Sequence, residues 1–89
     1  MIKAYKLNGK KVITADAFNL GEVSEVVMND RLKISYIHVK LAREAIREFG
    51  LRRPALGHFA VCLPADLVKG FADVVTLKAS RKELSVLIE

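Results

Sequence analysis

At 89 residues the chain fits one domain, residues 1–89, which buries only about two-thirds of its unfolded surface and so has a thin margin of stability. An apolar fraction of 52%, with no run near the ~20 apolar residues a spanning helix needs, excludes a helical membrane protein and points to a dense core or to apolar surface that a partner covers. The net charge of +5, from 15 Lys and Arg against 10 Asp and Glu, favours anionic partners, but acids and bases are interleaved and no block of like charge forms.

Residues 1–8 keep no clean period and stay open between a lead-in and a short strand. Lys10 to Thr14 reads as a strand, Ala15 to Asn19 as a turn, and Leu20 to Met28 as a second strand. Val23 and Val27 fall on one face of that strand, and Leu20, Val26 and Met28 on the other, the pattern of burial on two sides. Asn29, Asp30 and Arg31 tolerate a tight turn. Leu32 to Leu41 then completes a central hairpin, with Ile37, Val39 and Leu41 on one face and Leu32, Ile34 and Tyr36 on the other. Strands this long in so small a domain are expected to bend and to serve two parts of one barrel.

The period changes at Ala42. Ala42, Ala45, Ile46 and Phe49 form one stripe, with Arg43, Glu44, Arg47 and Glu48 opposite, and Gly50 supplies the stop; this predicts a short amphipathic helix inserted over residues 42–50. A basic loop from Leu51 to His58 follows. Phe59 to Leu63 resumes as a strand broken by Pro64, residues 64–70 suit a single helical turn, and Phe71 to Lys78 reads as one last strand. Ser80 and Glu83 have the spacing of a capping box, so a terminal helix is expected over residues 80–88, with Leu84, Leu87 and Ile88 as its stripe; a further strand is the alternative.

The run from Gly9 through Val12, Gly21, Val23 and Val26, followed by the hairpin, then Pro64, Asp73, Val75 and Leu77, resembles the PRC-barrel family, the small β-barrel of the photosynthetic reaction-centre H subunit. The resemblance implies a mainly β fold: a bent-strand barrel with core residues 9–78, a short inserted helix and a C-terminal helix. Family members often carry glycine in the first turn, where this chain has Ala17 and Phe18, and a tighter connection where it has the insert. The chain is most similar to stand-alone archaeal members, some of them cell-division adaptors between the tubulin-like ring and its membrane anchor protein. That likeness implies a non-enzymatic protein-interaction module in the cytoplasm, recruited to the division site. It is expected to act as a homodimer or as a heterodimer with a paralogue, without direct membrane insertion. Other barrels of the family sit in a ribosome maturation factor, which makes an RNA- or ribosome-binding basic face the alternative.

No catalytic constellation emerges from the residues. His38 and His58 have no metal-ligand spacing around them, Cys62 reads as a small buried residue without a disulfide partner, and the aspartates sit in separate turns where their side chains bond nearby backbone. No cofactor or metal is expected. Arg43, Arg47, Arg52 and Arg53, with Lys10 and Lys11, could form a basic face, but no aromatic RNA-binding signature accompanies them, so nucleic acid is the weaker expectation. The candidate partner-contact residues are Phe18, exposed at its turn, and Ile46, Phe49, Leu51, Arg52, Arg53 and Leu56 of the insert.

Overall fold

The computed structural model describes residues 7–51 and 59–88. Strands β1 (Lys11–Ile13), β2 (Asn19–Met28) and β3 (Ile34–Leu41) lead into helix α1 (Arg43–Glu48); β4 (Ala60–Pro64), a 3-10 turn (Ala65–Leu67), β5 (Val68–Phe71), β6 (Val75–Leu77) and helix α2 (Arg81–Ile88) follow. The six strands form one sheet in the order β4-β3-β2-β1-β6-β5, antiparallel throughout except for the parallel β1–β6 pair. Among the described residues no ladder joins β4 to β5, so the sheet encloses its core as a barrel-like roll open along one seam.

β2 does not alternate regularly, and the irregularity decides which residues are buried. Val23 pairs with Val39 but Glu25 pairs with His38, leaving Ser24 as an extra residue whose hydroxyl donates to the His38 carbonyl at 3.1 Å. A second irregularity opposite β1 leaves Leu20 between the pairs Val12–Gly21 and Ile13–Asn19. Each bulge reverses the phase of a period-two strand, so Leu20, Val23 and Val26 all turn toward the core while Val27 and Met28 stay exposed. The strand is therefore buried on one face, not two.

The core is built from Leu7, Val12, Leu20, Val23, Ile37, Val39, Leu41, Leu63, Val75 and Leu77, closed by Ala45 of α1, Phe49 at the C-cap of that helix and Leu84 of α2. Gly21 lets β2 and β3 meet: a Cβ there would lie 2.0 Å from the Lys40 carbonyl oxygen, closer than any side chain allows.

The region after Pro64 departs from the expectation. Residues 68–70, expected at the end of a helical turn, join Phe71 in a strand antiparallel to β6, and the expected single strand from Phe71 to Lys78 is divided by a turn at residues 72–74. Only Ala65–Leu67 is helical, and it is a 3-10 turn. Pairing with Leu77 and Val75 carries Val68 and Phe71 into the sheet, a non-local stabilisation that a short Gly-containing segment does not advertise.

Both helices form where the sequence places them. α1 ends in a Schellman arrangement: Leu51 N–H donates to the Ile46 carbonyl at 3.0 Å and Gly50 N–H to that of Arg47 at 3.2 Å, with Gly50 at φ 67°. α2 opens on the full capping box, Glu83 N–H to Ser80 Oγ at 3.3 Å and Ser80 N–H to Glu83 Oε1 at 3.1 Å.

Candidate interaction surfaces

Three surfaces combine exposure with definite chemistry. The first lies where the turn after β1 meets the two helices. Thr14, the one buried polar residue among those described, accepts the Phe18 N–H on its hydroxyl at 3.0 Å and donates that hydroxyl to Asp16. Asp16 then reaches 65 residues along the chain: Oδ2 accepts from Arg81 Nε at 2.7 Å, and Oδ1 from the Arg81 backbone N–H at 3.2 Å. This carboxylate holds the first turn of α2, where a negative charge is favoured. Arg81 also reaches Glu48 of α1 at 3.6 Å and lies 4.8 Å from the centre of the Phe18 ring. The Thr14 hydroxyl first, and the Arg81 guanidinium second, lower the Asp16 carboxyl from 3.8 to about 2; the same pairing raises Arg81. A cleft of about 360 Å³ bounded by Asp16, Glu48, Phe49 and Arg81 results.

The second surface is the outer edge of β4. Leu41 N–H donates to the Phe59 carbonyl at 2.8 Å, which makes 41–59 a hydrogen-bonded pair. The alternation of an antiparallel ladder then makes Val39–Val61 and Ile37–Leu63 hydrogen-bonded pairs as well, and His38–Cys62 a non-hydrogen-bonded one. Consequently the backbone N–H and C=O groups of Ala60 and Cys62 point away from β3, and β4 pairs with no other strand among the described residues. Cys62 is exposed, not buried as its apolar neighbours suggested. Val61 and Leu63 take the core side, and alternation turns Cys62 outward beside His38. Glu25 Oε2 approaches His38 Nδ1 at 3.6 Å. Among the described residues no group of three potential ligands is arranged to hold a metal ion.

The third surface is the far end of the β2–β3 hairpin. Val27 and Tyr36 are paired there on the outer face, next to Met28 and Leu32, and all four are exposed.

The expected contact residues are placed differently. Phe18 is half-buried, packed on the core under Arg81, rather than exposed at its turn. Phe49 is buried, and Ile46 and Leu51 are partly buried against the same core, so the stripe of the insert seats α1 on its own barrel. Arg52, Arg53 and Leu56 lie outside the described residues, as does His58. Of the motif positions, Val12, Val23, Val75 and Leu77 are core, Val26 packs against it, and Gly9 and Gly21 shape the backbone. Pro64 ends β4 exposed, and Asp73 lies in the turn between β5 and β6. Sequence reasoning missed the Asp16–Arg81 connection and the hairpin end. Leu32, expected to open the second strand of the hairpin, instead lies in the turn at φ 61°, and β3 begins only at Ile34.

The PRC-barrel domain model matches residues 1–84, nearly the whole chain, and the protein belongs to the PRC-barrel family. No curated protein matches it. Membership makes a small protein-interaction module the coarse reading of its role.

Proposed function

We propose that this barrel is a non-enzymatic adaptor that self-associates or pairs with a paralogue and links components of a larger assembly. The observation that carries the reading is the β4 edge: five residues without a charge, with the backbone groups of Ala60 and Cys62 directed away from β3. Such an edge is a template for strand addition, and an antiparallel two-fold pairing satisfies it reciprocally. The family resemblance supports placing the assembly at the archaeal division ring, with the ring's membrane anchor protein as partner and a cytoplasmic location. Light scattering on the eluting protein at micromolar concentration tests self-association, and Cys62→Lys, which puts a charge on the edge, is expected to shift the species toward monomer. A pull-down from the native cell tests the anchor as partner. A strictly monomeric protein that captures no protein partner overturns the reading.

A further inference from the structure

The β2–β3 turn is rigidly built yet presents an apolar side chain to water. Asn29 organises it: its Oδ1 accepts the N–H groups of Arg31 at 2.9 Å and Lys33 at 3.0 Å, its own N–H donates to the Lys33 carbonyl at 2.8 Å, and its carbonyl accepts from Leu32 at 3.0 Å. These bonds fix Leu32 at φ 61°, a conformation that bulky L-residues avoid, with 79% of its surface exposed. Met28 at 40%, Val27 at 36% and Tyr36 at 46% stand behind it. Arg31 and Lys33 flank Leu32 directly, Asp30 is the one acid in the turn, and neither cation enters an ion pair among the described residues.

An apolar apex between two cations, backed by an exposed tyrosine, has the chemistry of an interfacial anchor. The apolar group enters the headgroup–acyl boundary, the tyrosine sits at headgroup level, and the cations meet phosphates. A second copy is disfavoured at this tip, because Arg31 and Lys33 would face their own counterparts on chains of net charge +5. A convex apex also requires no matching concavity from a lipid surface, as it would from a protein.

We infer that the β2–β3 hairpin tip is a contact for an anionic lipid surface, with Leu32 seated shallowly in the interface and Arg31 and Lys33 on the headgroup phosphates. This is peripheral seating, consistent with the absence, among the described residues, of any helix long and apolar enough to cross a membrane. It departs from the expectation of no direct membrane insertion. It is also independent of pairing along β4.

The chain contains no tryptophan, so Leu32→Trp makes the tip the sole indole reporter. Titration with unilamellar vesicles of equal parts phosphatidylglycerol and phosphatidylcholine at low salt is expected to shift its emission to the blue. The wild-type protein is expected to co-float with the same vesicles. Pure phosphatidylcholine vesicles and high salt should abolish both signals. Neutralising both cations, Arg31→Gln with Lys33→Gln, is expected to weaken binding about thirty-fold, and Leu32→Asp to abolish it while circular dichroism and oligomeric state stay unchanged. Any of three results overturns the inference: folded wild-type protein that ignores anionic vesicles, equal binding to neutral vesicles, or binding that survives Leu32→Asp. Capture of a protein partner through Leu32 without vesicle binding reassigns the tip and overturns it as well.

Discussion

The turn after β1 and the turn between β2 and β3 contain the two non-glycine residues in left-handed conformation among those described, Ala17 at φ 65° and Leu32 at φ 61°. Each conformation costs about 1–2 kcal/mol, and the surroundings offset it differently. At Ala17 the turn is knitted into the molecule: Thr14 N–H donates to the Phe18 carbonyl, Ala15 N–H to that of Ala79, and Asp16 clasps Arg81. At Leu32 the supporting bonds are all local, from Asn29 to residues of the same turn. The first turn is strained to hold α2 on the barrel. The second is supported, among the described residues, only by bonds within the turn, and strain of that kind points toward function.

The most damaging change is one that strikes the sheet between the two turns. Gly21→Ala drives a methyl into the Lys40 carbonyl and separates β2 from β3, with an expected loss of about 3 kcal/mol or more in urea unfolding. A smaller loss indicates that the strands can slide apart locally. Leu84→Ala acts on the latch end alone: the fully buried side chain is α2's described contribution to the core, and about 2–5 kcal/mol should be lost. Vesicle binding at the hairpin tip should be unaffected by the same variant wherever it remains folded, and a correlated loss would show that the two ends are not independent.

Asp16→Asn sharpens the contrast further, because it leaves the shape of the latch and removes its charge. The folded-state carboxyl is depressed to about 2 from 3.8, so the wild-type protein has this stabilisation in full above the unfolded value and loses it as pH falls through about 2. The variant should show a flatter fall in stability with acid over that window and faster amide exchange at the first turn of α2. Coincident acid profiles for the two proteins would remove the latch as a source of stability.

How much of this was legible in the sequence follows from the range of each interaction. Gly50 as the stop of α1, and Ser80 with Glu83 as the start of α2, act within a few residues, and both were read correctly. The inward face of β3 was legible too, since Ile37, Val39 and Leu41 alternate without a bulge. By contrast, a bulge at Ser24 leaves no compositional mark, so the phase of β2 beyond Val23 was misread, and Val27 and Met28 were not recognised as exposed. The Asp16–Arg81 pair spans 65 positions, and β5 exists only because β6 folds back on it. For the interaction surfaces, the apolar stripe of the insert resembled a partner contact because periodicity reports that a face is covered but not what covers it. In the structure Ala45, Ile46 and Phe49 of that stripe are covered by the barrel itself.

The finest test of the comparison replaces each left-handed residue with glycine. Glycine removes the steric cost at φ near 60°, about 1–2 kcal/mol, but adds freedom to the unfolded chain, which returns about 0.4–1 kcal/mol of that gain. A net stabilisation of about 0.5–1 kcal/mol is therefore expected for Ala17→Gly, with vesicle binding intact. Leu32→Gly should stabilise by a similar amount, because so exposed a side chain contributes little packing, yet it should abolish vesicle binding. Thermal unfolding and co-flotation measured on the same two variants separate the turns: one glycine improves the protein at no cost, and the other improves it at the expense of its apex. If Leu32→Gly destabilises the fold instead, the leucine is packed for stability, and its conformation reflects the architecture of the turn rather than the demands of a contact.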